Sequence, residues 1–192
     1  YAETGRAGLK RQTGLQEAAG TMRLLGPNTI GSLNLTNNIT LSASGALDVE
    51  DRVPGRIAVL SQSGGIVGSI LSRAAEKGIG LSHLMSTGNE ADIEIADIME
   101  VLADDPDTGV FALYLETIRS PDKFLNAVKL ARRNGKAVVI YKVGRSEAGA
   151  RSAASHTGAM AGSDDIYDGY FAQAGIIRAE RYSDLIEIPM VL

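Results

Sequence analysis

From Arg56 onward, short apolar runs alternate with stretches in which apolar residues recur every three or four positions. The runs Ile57–Leu60, Ile79–Met85, Val110–Leu115, Ala137–Tyr141 and Ile176–Ala179 have the length and continuity of strands buried on both faces. Between them Ile66–Lys77, Asp92–Leu102, Pro121–Asn134 and Asp164–Ala174 have helical spacing, and a last helix begins at Asp184. Gly78, Gly135 and Gly175 stand just past three of these helices, where a glycine closes the last turn. Ser120-Pro121 marks a helix start with proline at the first helical position. Such alternation predicts an α/β fold: a parallel sheet of five strands, covered on both faces and doubly wound in the flavodoxin-like order. Ligands of such sheets bind beyond the carboxyl ends of the strands, so the residues after each strand are the candidates for chemistry.

The pattern before Arg56 is less regular. Thr13–Met22 has helical spacing, Arg23–Leu25 reads as a very short strand, and Gly26-Pro27-Asn28 is a turn signal. Ile30–Leu47 alternates like an extended segment, and Asp48–Gly55, charged and closed by Pro54-Gly55, has the character of a linker. Residues 1–54 are therefore expected to be the tail of an α/β domain whose beginning is missing, and residues 55–192 the flavodoxin-like unit. The chain opens on Tyr1 rather than Met, which suggests a piece of a longer protein.

Length and composition narrow the function classes. The 192 residues leave room for one full domain and part of another. A net charge of −4 without any Lys/Arg-rich run argues against a nucleic-acid surface. The absence of cysteine removes disulfides and thiolate metal sites, and two isolated histidines, His83 and His156, do not suggest zinc, so no metal site is expected. No apolar stretch approaches the ~20 residues of a membrane span, and no signal peptide opens the chain. A soluble, cytoplasmic protein is expected.

Chemistry is sought at the strand ends. Ser61-Gln62-Ser63-Gly64-Gly65 opens a helix after the first parallel strand. Free amides and the positive dipole end there favour an anion. The same residues also suit a plain strand-to-helix turn with a serine cap, and Ser63 sits in a context similar to a nucleophile elbow. The second strand runs into Ser86-Thr87-Gly88-Asn89-Glu90-Ala91-Asp92, a capped helix start from which Asn89 or Glu90 could face a ligand. His83, inside that strand, reads as structural. Glu116 is the first charge after the third strand, either a solvated strand end or a carboxylate able to hold one nitrogen of an imidazole. Lys142 and Arg145 follow the fourth strand, as phosphate partners or as ordinary surface charges.

The most distinctive stretch is Gly144–Gly162, G-R-S-E-A-G-A-R-S-A-A-S-H-T-G-A-M-A-G, with His156 among small residues. It makes a connection of roughly 18 residues, far longer than the usual loop of a compact domain, and its glycines and alanines allow close approach to a ligand. This stretch resembles the phosphohistidine loop of NDP-forming acyl-CoA synthetases, the group of ADP-forming acetyl-CoA synthetase and, more distantly, the succinyl-CoA synthetase alpha subunits. S-Q-S-G-G, T-G-N-E-A-D and Y-L-E-T follow the first three parallel strands in that family's order, and Gly26-Pro27-Asn28 resembles the end of its CoA-binding domain.

The resemblance implies a ligase that interconverts acyl-CoA, NDP and phosphate with carboxylic acid, CoA and NTP. His156 would take the phosphoryl group of an acyl phosphate, Glu116 would orient the imidazole, and Ser63, Gly64, Gly65, Thr157 and Gly158 would hold the phosphate. Asn28, Asn89 and Glu90 are candidates for substrate loops. Coenzyme A would be a substrate. ATP or ADP with Mg2+ would bind on a partner, an ATP-grasp domain or beta subunit, and the whole would be an oligomer. Residues 1–54 would be the end of a Rossmann-like CoA-binding domain whose N-terminal half is missing, so the chain alone would be inactive. Two other readings compete: a non-catalytic domain that binds CoA-like ligands or a partner, and a serine hydrolase using Ser63 and His156 with Asp104, Asp105 or Asp107.

Overall fold

The computed structural model describes residues 5–144 and 164–192. The element order is α1 (Gly5–Ala19), β1 (Ser32–Asn34), β2 (Ile39–Leu41), β3 (Pro54–Ser61), α2 (Gly64–Glu76), β4 (Leu81–Ser86), α3 (Ile95–Leu102), β5 (Val110–Leu115), α4 (Pro121–Arg133) and β6 (Ala137–Lys142). After the undescribed stretch come α5 (Asp164–Ala174), β7 (Ile177–Arg178) and α6 (Asp184–Glu187). The sheet runs β2-β1-β4-β3-β5-β6-β7. From β4 to β7 every pairing is parallel. Numbered among themselves, these five strands lie in the order 2-1-3-4-5, the flavodoxin-like arrangement.

Alternation along the strands divides the core in two. Ile57, Val59, Val110, Ala112 and Val139 face one layer, where Val67, Ile70 and Leu71 of α2 and Leu185 and Ile186 of α6 pack. Ala58, Leu60, Phe111, Leu113, Val138 and Ile140 face the other, against α3, α4 and Phe171 of α5. A strand buried on both faces must be apolar at every position, which is why these runs are continuous. Gly78, Gly135 and Gly175 take positive φ at the helix ends, as their spacing predicts. No helix among the described residues is long and apolar enough to cross a membrane.

The front of the chain departs from expectation. Among the described residues the sheet has seven strands, because Ile30–Leu47 is not one extended segment: β1 and β2 form an antiparallel hairpin, and β1 pairs antiparallel with β4. Strands of three residues carry too little alternation to be seen in sequence. Pro54 and Gly55, expected to close a linker, begin β3. The first helix starts before Thr13 and stops at Ala19, its register obscured by a largely exposed surface. Arg23–Leu25 forms no strand. Instead the Leu24 amide donates to the Asp92 carboxylate at 2.7 Å, and its carbonyl accepts from the Ile93 amide at 3.1 Å. Those bonds take Asp92 and Ile93 out of the helix expected to begin there, and α3 starts at Ile95 behind a capping box of Glu94 and Asp97.

Candidate functional site at the sheet switch point

The winding of the sheet reverses at β3, with β4 on one side and β5 on the other. The carboxyl ends of β3 and β5 therefore flank the switch-point crevice where doubly wound folds bind ligands. Ser61–Gly65 leaves β3 and Glu116 follows β5, so the sequence-predicted anion turn and carboxylate meet at this edge.

The turn is built locally. The Ser61 hydroxyl accepts from the Ser63 amide at 3.0 Å and donates to the Ser63 carbonyl at 2.8 Å. This turns the chain into α2 and engages the Ser63 amide, which the sequence reading had assigned to phosphate. The donors of the helix end are thus Gly64 and Gly65, first-turn amides without intrahelical acceptors. A Cβ on Gly64 would lie 2.7 Å from Ile30 Cγ2, so glycine is needed there for packing. A Cβ on Gly65 would meet no heavy atom within 4 Å among the described residues, and Gly65 is exposed. The Ser63 side chain makes no capping bond to the helix.

Gln62 joins this turn to Glu116, and no spacing in the sequence pointed to it. Its Oε1 accepts from the Glu116 amide at 2.7 Å and from the Thr117 amide at 3.0 Å. Its Nε2 donates to Glu90 Oε2 at 2.8 Å and to the Thr117 carbonyl at 2.9 Å. Glu90, offered above as a residue that could face a ligand, is turned inward and only 4% exposed. Its other oxygen accepts from Thr87 Oγ1 at 2.9 Å and from the Ile95 amide at 3.0 Å. Burial pushes the Glu90 carboxyl above its ordinary value, and these donors pull against it.

Asn28 and Asn89 do come together, at 3.3 Å from amide nitrogen to amide oxygen, beside the Glu90 turn. The Asn89 amide donates to the Pro27 carbonyl and the Ala91 amide to the Gly26 carbonyl, both at 2.8 Å. The 26–28 turn is thereby stitched to the β4–α3 loop.

Glu116 is half-buried and bears on several neighbours. Burial first, and the Glu116 charge second, push the Tyr114 phenol up to about 12. Lys142, at the end of β6, is buried; its Nζ donates to the Val143 carbonyl at 2.6 Å and lies 4.7 Å from the Tyr167 ring centroid. Burial lowers its amine, assisted by Arg178 and opposed by Asp164 and Glu116. Lys142 is thus a buried amine packed on an aromatic ring, not an ordinary surface charge. His156, Thr157, Gly158 and Arg145 lie outside the described residues.

The hydrolase arrangement is separated by the fold. Asp104, Asp105 and Asp107 precede β5, at the amino edge of the sheet, whereas Ser63 follows β3 at the carboxyl edge. Asp104 and Asp105 line a cleft of about 360 Å³ there, with Arg56 and Lys136.

Comparison with known proteins agrees with this fold. A sequence model of the succinyl-CoA ligase like flavodoxin domain matches residues 54–192. The alpha subunit of ADP-forming acetate–CoA ligase II from Pyrococcus furiosus is 36% identical over 190 residues, covering 98% of this chain and 40% of that subunit. The ADP-forming 4-hydroxybutyrate–CoA ligase of Nitrosopumilus maritimus is 36% identical over 190 residues, 97% of this chain and 27% of that enzyme. Among solved structures, the dinucleotide forming acetyl-coenzyme A synthetase 1 of Ca. Korarchaeum cryptofilum, in complex with phosphate and ADP, superposes with a TM-score of 0.85 at 32% identity. It covers 96% of this chain and 40% of that one. The chain spans well under half the length of these relatives.

Proposed function

The chain belongs to the family of the succinyl-CoA ligase like flavodoxin domain, and from that premise we propose that it is the phosphoryl-carrying part of an NDP-forming acid–CoA ligase. The observation that carries the proposal is the meeting of the α2 amino end with Glu116 at the switch point, held together through Gln62. An imidazole served by such a pair has a carboxylate to hold one ring nitrogen and a helix terminus to receive the phosphate on the other.

In this reading a lone pair of His156 attacks the phosphorus of an acyl phosphate. The bond from phosphorus to the acyl oxygen breaks, and the carboxylate leaves. Glu116 holds the proton on the second ring nitrogen and balances the imidazolium charge as it forms. The amides of Gly64 and Gly65, with Thr157 and Gly158 of the loop, hold the phosphoryl oxygens. Transfer onward places the group on the terminal oxygen of a nucleoside diphosphate. Nucleotide binding needs a phosphate cradle and a magnesium site. The described residues offer one anion site, so in this reading nucleotide and Mg2+ belong to an ATP-grasp domain or beta subunit that docks at the carboxyl edge. Coenzyme A requires the rest of a Rossmann-like domain of which residues 1–54 are the end. The family match begins at residue 54 and supports that division, although the hairpin of the front part is hydrogen-bonded into the sheet.

Reconstitution tests the proposal. The 192-residue chain given acid, CoA, ATP and Mg2+ should form no thioester. Synthesis should appear when an ATP-grasp partner and the N-terminal half of the CoA-binding domain are added. Robust synthesis by the chain alone would contradict it, because the nucleotide would then bind residues assigned here to structure. Binding of CoA or partner with no synthesis in the full assembly would favour a non-catalytic domain instead.

A further inference from the structure

We propose that Gln62 is a positioning residue that holds the amino end of α2 and Glu116 at one fixed spacing, so that both act on the same phosphoryl group. The identity of the anion rests on the ligase reading; the spacing rests on geometry alone. Gln62 is 7% exposed and satisfies its side-chain amide completely. An amide oxygen accepts two bonds and an amide nitrogen donates two. Here the oxygen receives the Glu116 and Thr117 amides, and the nitrogen gives to the Glu90 carboxylate and the Thr117 carbonyl. Reversal of the amide would set donors against donors and acceptors against acceptors, so one orientation is imposed.

The bonds reach the two halves of the site by the shortest path. Gln62 immediately precedes Ser63, the N-cap residue of α2. Its own amide donates to the Tyr114 carbonyl at 3.2 Å, tying the turn to the end of β5 through the main chain as well. Glu90 sets the amide from behind, and is itself held by Thr87 and the Ile95 amide. Thr87, Glu90, Gln62 and Glu116 thus form one bonded chain from the β4 end across β3 to β5. The sequence-predicted ligand residue Glu90 finds its use as the anchor of this chain.

Removing the amide outright would leave a buried carboxylate short of a donor and endanger the fold. The test therefore exchanges the two groups. Gln62→Glu sets two carboxyls against each other. The double variant Gln62→Glu/Glu90→Gln restores a donor facing a carboxylate at unchanged net charge and keeps acceptors for the Glu116, Thr117 and Ile95 amides and the Thr87 hydroxyl. The donor to the Thr117 carbonyl is lost in the single and the double variant alike, so the difference between them reads the Gln62–Glu90 contact. Two quantities are measured at a temperature where circular dichroism shows every variant folded: affinity of the full chain for inorganic phosphate by calorimetry, and the rate of His156 phosphorylation in the complete enzyme. Gln62→Glu should weaken phosphate binding and slow labelling by about tenfold or more, and the double variant should regain at least about threefold of each loss. A packing role alone would change stability and leave phosphate affinity of the folded protein untouched. Parental behaviour of folded Gln62→Glu, a double variant as impaired as the single, or no phosphate binding by the parent would overturn the proposal. If phosphate affinity follows the prediction while the parent carries no label on His156, the ligase reading fails and the positioning role stands.

Discussion

Individual side chains at the two edges of the sheet follow the same logic. At the carboxyl edge, burial lowers the Lys142 amine, and Asp164 and Glu116 pull the other way. At the amino edge, His83 is 5% exposed, with Nδ1 3.7 Å from Asp105 Oδ2 and 3.5 Å from Thr108 Oγ1. Burial lowers its pKa against the pull of Asp105 and Asp107, and Lys136 works in the same direction as burial. A histidine whose folded-state pKa lies below its unfolded value binds its proton more readily when unfolded. Its contribution to stability is complete above about pH 6.5 and is lost as the pH falls through that value towards the folded-state pKa. Denaturant midpoints between about pH 8 and about pH 5.5 should therefore fall less steeply in His83→Leu than in the parent. An equal slope in both would mean that His83 carries its proton equally well folded and unfolded. The structural reading of His83 was accessible from its place inside an apolar strand. The inward turn of Glu90 was not, since a carboxylate after a strand looks the same in sequence whether it meets water or three buried donors.

The elements divide in the same way. The parallel strands could be read because the inner ones are largely apolar on both faces and three of the helices end at a glycine. The hairpin was invisible, because β1 and β2 take their pairing from β4 and from each other rather than from a pattern of their own. The start of α3 was misplaced because Asp92 serves the Leu24 amide and the Arg23 guanidinium, contacts distant in sequence. The junction of the front of the chain with the sheet turns on Gly88. Its φ is +59°, and a Cβ there would lie 2.2 Å from the Pro27 carbonyl oxygen. Gly88→Ala should cost on the order of 2 kcal/mol or more, since it combines a left-handed conformation with a backbone clash. Chemical denaturation monitored by far-UV circular dichroism reads this directly. A change under about 0.5 kcal/mol, the usual range of a surface substitution, would mean that the 26–28 turn moves aside at little cost.

At the scale of the molecule, a turn and a carboxylate follow the two strands that flank the switch point of a doubly wound sheet, the place where the proposed function puts one anion. The motifs at the strand ends were legible because glycines and serines before a helix state their backbone requirements. Their linkage through Gln62 was not, because a glutamine between two serines declares nothing about burial. The central claim is that this place serves a phosphohistidine at His156. The direct test incubates the complete enzyme with acyl-CoA and labelled phosphate, or with labelled ATP, and maps the acid-labile, base-stable phosphoryl group. Label should sit on His156, be absent from His156→Ala, and accumulate about 10²–10⁴-fold more slowly in folded Glu116→Gln. Label on Ser63, or undiminished labelling of His156→Ala, would contradict the account.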